Sequence, residues 1–467
     1  MTRLVELLAG LVLAGTLVAV FVRWERTGRS HWAPIGLLIL VAVESCLYEN
    51  QDLMPRGLFH PGSGSFQFRL PEVVILLALA GRLLARGAPR SIGPAALAWA
   101  AFGAWLVAET AVGVLRHNST VQIPYEAKAV VYVVGGFALA AGVPAETYVR
   151  TRCFARLARA FALPAVLLTG LTLAGKHLAL HLPLLSMPDF GLFGADAATV
   201  LAAIGFSALV FELGAPQKSP VTLLATVPLI LGPLVASQRA ALVGVAVTLF
   251  VVVVAVLGPT ARRRLRVTIP QVALAALAAT AVLIAVTLAP AAVSQRAPQV
   301  PLRSTISQTF HQTAKVQSAN ERVAQWDQAR HLIAQHALMG WGLGVEYTYY
   351  SVGQRQLITT DLTHNILLDL AMRTGAVGVV LFLIALIASV GGGLGTWRRQ
   401  PDAAVALLAL ALVAVVLGVV GKGMFESIFE KYRLATMVGL MVGVLRSCVT
   451  SPRVPAEVRR ETMGEWA

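Results

Sequence analysis

Charge is scarce in this sequence. Asp, Glu, Lys and Arg make up 13% of its 467 residues, where a soluble domain carries about 25%, and a water-soluble enzyme is thereby excluded. Acidic side chains are scarcest, 23 against 38 Lys and Arg, for a formal charge of +15. Such an excess would suit nucleic acid if it formed a stripe along one face, but these cations punctuate apolar runs, so no nucleic-acid partner is expected. The three cysteines, Cys46, Cys153 and Cys448, are too few and too scattered for a disulfide framework or a Cys-based zinc site. Internal repeats, heptads and low-complexity tracts are also missing, which excludes solenoids and coiled coils. Long hydrophobic runs are not missing. With 57% hydrophobic residues and a mean hydropathy of +0.73, the chain reads as a polytopic membrane protein.

A helix needs roughly 20 apolar residues to cross the hydrocarbon core. Candidate spans fall near 4–22, 33–48, 71–87, 94–114, 125–143, 157–175, 195–213, 220–236, 240–257, 270–289, 366–394, 403–420 and 434–446. The second and last are short, so 12 or 13 transmembrane helices are expected. The first run ends in Arg23-Trp-Glu-Arg26 with no small-residue cleavage site, so it is read as a span and not as a removable signal. Lys and Arg collect around residues 23–29, 82–90, 150–159, 218, 262–266, 398–399 and 446–460, 21 of the 38 in all. That side is assigned to the cytoplasm. The loop from about Pro290 to Thr363, about 74 residues long, then lies outside the cytoplasm, and a connection of that length in a compact bundle is normally functional. The expected architecture is an all-α polytopic membrane protein with one long extracytoplasmic loop containing an amphipathic helix. It divides into amino-terminal helices (1–219), a core with the loop (220–395, loop 290–363), and carboxy-terminal helices with a cytoplasmic tail (396–467).

Within the loop, Ser318-Ala-Asn-Glu321 has the spacing of a capping box opening a helix that Gly340 closes. Val323, Trp326, Ile333 and Ala337 fall on one face, with Arg322, Gln325, Asp327 and Gln328 elsewhere. This fits a helix lying on the membrane surface or over the bundle, and equally one packed in a small loop domain. Leu338-Met-Gly-Trp-Gly-Leu-Gly344 follows. It lacks the preceding strand and following Lys-Ser/Thr of a phosphate loop, and reads as a structural turn. Thr363 or Asp361 can cap the next helix, placing His364 in its first turn at the membrane boundary, where the helix dipole favours a neutral imidazole. A lone interfacial His is more often a capping residue than a base. Arg239, however, lies between two apolar runs with almost no loop to take it into water, and an ionisable group so placed is a candidate functional residue.

Three features stand in order: Ser237-Gln-Arg239; Asn320-Glu-Arg322-x-x-x-Trp326 running to Met339-Gly-Trp-Gly-Leu-Gly344; and His364-Asn365-x-x-Leu368 running to Gly375-x-x-Gly378. Together they resemble the O-antigen ligase and polymerase superfamily, bacterial membrane glycosyltransferases that use undecaprenyl-diphosphate-linked glycans. The resemblance covers roughly residues 220–395. It implies a GT-C-like membrane fold in the bacterial inner membrane, a site on the extracytoplasmic side, and a glycan or lipid acceptor. Arg239 and Arg322 resemble the arginines expected to hold the donor diphosphate, and His364 the histidine expected to activate the acceptor hydroxyl. Ser237 matches only loosely, since many members place Ser directly before Arg. Asn365, Lys422 and Arg433 are secondary candidates, and Arg56 and Arg69 weaker ones. The segment Lys422, Glu426, Glu430, Lys431, Arg433 reads first as a solvated connection, although its cations would reach the diphosphate if it faced Arg239. Asp361 and Asp369 compete with His364 as base; the plain reading of Asp369 with Arg373 is an i,i+4 salt bridge.

No cofactor or metal is expected: acidic residues are thin in the loop and no His/Asp spacing suits a ligand set. His311, His331 and His336 read as surface histidines. The expected reaction is inverting transfer, ligase-like because no long carboxy-terminal outer segment follows. A repeat-unit polymerase and a protein O-oligosaccharyltransferase are the alternatives within the superfamily. A lipid-linked glycan transporter is the alternative outside it, and would instead predict an inverted repeat with broken helices at midplane.

Overall fold

A computed structural model describes residues 2–48, 69–87, 93–178, 195–214, 218–235, 239–257, 317–351, 355–429 and 431–452. The chain is an all-α polytopic membrane protein. In chain order the helices are α1 (Thr2–Arg26), α2 (Trp32–Tyr48), α3 (Leu70–Arg86), α4 (Pro94–Leu115), α5 (Gln122–Ala141, with a π-helical turn at Val131–Gly135), α6 (Ala145–Arg150), α7 (Cys153–Leu178), α8 (Ala195–Gly214), α9 (Pro220–Val235) and α10 (Arg239–Leu257). After the long loop come α11 (Gln317–Gln335), a hairpin of β1 (Tyr347–Ser351) and β2 (Gln356–Thr360), α12 (Ile366–Arg399), α13 (Ala403–Gly423) and α14 (Tyr432–Thr450). Seven described helices are long and apolar enough to cross a membrane, and three shorter apolar ones cover Trp32–Leu47, Pro220–Gly232 and Ala240–Ala255. The span expected near 270–289 lies outside the described residues, as do Arg56, Ser237, His311 and Glu430.

Burial separates central from peripheral helices. The apolar windows of α8, α13 and α14 are 78–83% buried, whereas those of α4 and α12 are 33% buried and leave apolar side chains outward, as a lipid-facing helix must. The centre is built by close backbone approach: a Cβ on Gly439 of α14 would stand 2.5 Å from the Val133 carbonyl of α5, and one on Gly443 equally close to that of Phe137. Small residues four apart admit such contact between membrane helices.

The connections sort to two ends. At one, Arg82 Nε bonds Glu25 Oε1 (2.8 Å) and its Nη1 caps the Ala138 and Leu139 carbonyls, Arg86 pairs with Glu25 (2.8 Å), and Arg152 pairs with Glu212. At the other end stand Arg69, the 116–121 turn, the start of α8, α11 with its hairpin, residues 424–429 and Lys431.

Two local expectations change. The hairpin is a strand pair where only loop was expected, with Tyr347 opposite Thr360 and Ser351 opposite Gln356; aromatic and β-branched residues alternate there in the period a strand requires. The buried face of α11 also differs. Gln325 and Ala329 are buried, Leu332 and Ile333 are half-buried, and Val323 is 51% exposed. The helix packs on Tyr347, Tyr349 and Met372, so its contacts are with the hairpin and α12. Its first residue is Gln317, which puts Ser318 inside the helix, while Glu321 accepts from Ser351 Oγ (2.8 Å).

Candidate functional site

The site is organised by a break in α12. Gly375 takes φ +64, ψ −171, a region that glycine enters without strain, and the backbone groups freed there are taken up by the glycine-rich segment after α11. Ala376 N–H donates to the Ala337 carbonyl (2.8 Å), while Trp341 and Gly342 donate to the carbonyls of Met372 and Arg373 (2.9 Å each). Gly340, itself at φ +72, lies so close that a Cβ would come within 2.5 Å of the Arg373 and Gly375 backbone. Leu338–Gly344 is therefore more than a turn. It is threaded into the broken helix, and its outer side is held by Arg116 Nη1 on the Gly340 carbonyl (2.7 Å) and Asn118 Nδ2 on that of Trp341 (2.9 Å).

Ahead of the break, α12 is capped by Asn365, whose Oδ1 accepts from the amides of Leu367 (3.0 Å) and Leu368 (3.1 Å) while its Nδ2 donates to the Met424 carbonyl (3.0 Å). The expected caps, Thr363 and Asp361, are displaced by one whose side chain reaches the free amides directly. His364 consequently precedes the helix instead of lying in its first turn. It adopts φ +51, uncommon for a non-glycine residue and of the kind that clusters at functional sites. Its turn is held from several elements. Arg373 Nη2 donates to the Asp361 carbonyl (2.7 Å), Tyr347 Oη to that of Leu362 (2.6 Å), and Trp326 Nε1 to that of Thr363 (2.8 Å). Burial and the nearby cations Arg322 and Lys431 hold the imidazole below the ordinary histidine pKa, with Glu426 opposing.

Behind this turn lie two ionic networks that pattern reading missed or misjudged. Arg373 pairs with Asp369 as the i,i+4 reading anticipated, but also with Glu126 of α5 (3.0 Å), and Ser427 Oγ donates to Asp369 (3.0 Å). These links commit Asp369 to Arg373 and Ser427. The second network corrects the reading of 422–433 as a solvated segment: Lys422 is fully buried and Arg433 is 5% exposed. Lys422 (3.4 Å), Lys431 (3.3 Å) and Arg433 (2.8 Å) converge on Asp196, and Lys422 also pairs with Glu426 (3.0 Å). Asp196 and Glu126 were legible as acidic residues at the ends of apolar runs, the same rule that singled out Arg239.

Arg239 is the first residue of α10, and its side chain lies outside the described residues. That helix runs antiparallel to α13: Gly244 faces Gly418 and Lys422, and Gly418 faces Thr248. The start of α10 therefore lies at the Lys422 end. Arg322, on α11, acts on His364 electrostatically. The fold thus gathers His364, Arg322, Asn365, Lys422 and Arg433, with the backbone of Arg239, at one end of the bundle.

The model of the O-antigen ligase family matches residues 224–383. Over that segment the chain is similar to the O-antigen ligase family, a match that supports membership of the O-antigen ligase and polymerase superfamily. The ligase match spans Arg239, Arg322 and His364, and does not reach Asp196 or the three cations that pair with it, Lys422, Lys431 and Arg433. No curated protein matches the chain. The match, together with the apolar helices, implies a multi-pass protein that lies in a lipid bilayer and acts on glycan substrates.

Proposed function

We propose that the chain transfers a glycan from undecaprenyl diphosphate to an acceptor hydroxyl at the outer face of the bacterial cytoplasmic membrane, in the manner of an O-antigen ligase. His364 is the base. The acceptor O–H proton passes to its imidazole as the acceptor oxygen bonds the anomeric carbon, the bond from that carbon to the diphosphate oxygen breaks, and undecaprenyl diphosphate departs with the electron pair, inverting the centre. Arg239 and Arg322 hold the diphosphate, since guanidinium forks match phosphate oxygens bidentately and neutralise the charge that develops on the leaving group. The scheme gives that task to arginines and so needs no metal. The observation that carries the reading is His364 itself, a left-handed, half-buried imidazole whose pKa is held below the ordinary histidine value by burial and by Arg322; a base must be unprotonated at the working pH and within reach of the acceptor.

The test is glycan transfer from defined lipid-linked donors by the purified protein, with Arg239→Ala, Arg322→Ala and His364→Ala in parallel. Each loss is expected at about 10²-fold or more in rate. Full activity of the His364 variant removes it as base, and full activity of both arginine variants removes the clamp. Undiminished transfer in chelator supports the metal-free scheme. An acceptor panel of lipid-linked core glycan, repeat unit and hydroxylated peptide decides between ligase, polymerase and protein-modifying activity.

A further inference from the structure

Three cations meeting on one carboxylate are not explained by helix packing. Asp196 receives Lys422 and Lys431 on Oδ1 and Arg433 on Oδ2, and Glu426 pairs with both lysines. The five groups carry one positive charge in excess. Apolar side chains would hold the same helices without the desolvation that buried ions demand. Within the triad the roles differ. Lys422 and Arg433 have side chains 0% and 6% exposed, and that of Lys431 is 33% exposed. Lys431 is also the cation of the three whose field reaches His364. An ammonium has three N–H donors, and Asp196 and Glu426 account for two of them.

We propose that Lys431 is a further cation of the donor site, contacting the diphosphate beside His364, and that Asp196 is the positioning residue that aims it. Lys422 and Arg433 are buried struts that fix the carboxylate. The inference rests on the transferase reading for the identity of the donor, and it gives the amino-terminal helices a task, because Asp196 opens α8, outside the segment matched to the ligase family.

Two measurements on the full-length protein in nanodiscs test it. In the transfer assay, Lys431→Met is expected to lower kcat/KM for the donor about 10²-fold with the acceptor KM unchanged, while Lys431→Arg retains most activity. Asp196→Asn should show a smaller loss, rescued by Asp196→Glu. The groups acting on His364 are Arg322, Lys431 and Glu426. Removing the Lys431 charge should therefore move the acid limb of the pH profile upward, and removing the Glu426 charge should move it downward, opposite shifts that a packing defect does not produce. The second measurement is calorimetric binding of inorganic pyrophosphate, expected for the wild type and lost in Lys431→Met. Transfer that is indifferent to Lys431→Met overturns this inference and leaves the transferase reading standing. Lys431-dependent pyrophosphate binding without transfer by the wild type does the reverse. Wild-type protein that neither binds pyrophosphate nor transfers glycan overturns both.

Discussion

The two ends of the bundle carry the same chemistry under opposite conditions. At the arginine-rich end, Arg86 and Arg152 keep 46% and 38% of their side-chain surface in water while pairing with the buried carboxylates of Glu25 and Glu212. At the other end, Arg373 and Asp369 keep 5% and 1%, and Lys422 none. A pair whose cation keeps its water costs less to form than one buried on both sides and is weaker for it. Buried pairs are costly to form and costlier to break, because the remaining partner keeps its desolvation without its counter-charge. Charge that keeps its water orients a membrane protein, and charge driven out of water at one boundary marks the candidate site.

Substitutions can break this contrast. Arg373→Met is expected to have the largest effect, about 3–5 kcal/mol, since it strands both Glu126 and Asp369, and thermal unfolding in detergent would show it. Gly375→Ala comes next. The left-handed backbone alone costs about 1–2 kcal/mol for an L-residue, and the added Cβ would lie 2.1 Å from the Leu338 carbonyl oxygen, so the variant should lose both stability and transfer. Asn365→Ala should cost about 1 kcal/mol as a lost cap, measured in the same melt. Arg86→Ala, at the solvated end, should change the melt by no more than about 1 kcal/mol; a larger loss would erase the distinction between the ends. The subtlest effect is on pH. Because the His364 pKa is lowered, the imidazole stays neutral as pH falls through the ordinary histidine value of 6.5, and the acid limb of donor kcat/KM should lie below that value. A limb at or above it would contradict a half-buried, cation-flanked base.

Much of the architecture was legible. Long apolar runs with basic punctuation specify helices and the sorting of their connections without any tertiary information, because the bilayer leaves no other way to satisfy backbone amides. Local chemistry was less legible. Asn365 in place of Thr363 as cap depends on which side chain reaches the free amides, and the inward face of α11 depends on a hairpin that no helical periodicity announces. The 422–433 segment read as solvated because alternating signs look the same in water and in a buried network.

What the sequence by itself determined is the membrane fold and the segment matched to the ligase family, and it singled out Arg239, Arg322 and His364 as candidates, since these follow from hydropathy and from order along the chain. Only the tertiary structure decided that the glycine-rich segment repairs a broken helix, that His364 stands outside its helix in a strained turn, and that Asp196 gathers three cations beside it. Those outcomes depend on pairing groups up to 237 positions apart. A carboxylate and a guanidinium that distant meet only when burial of intervening helices brings them together, and no local pattern encodes that meeting.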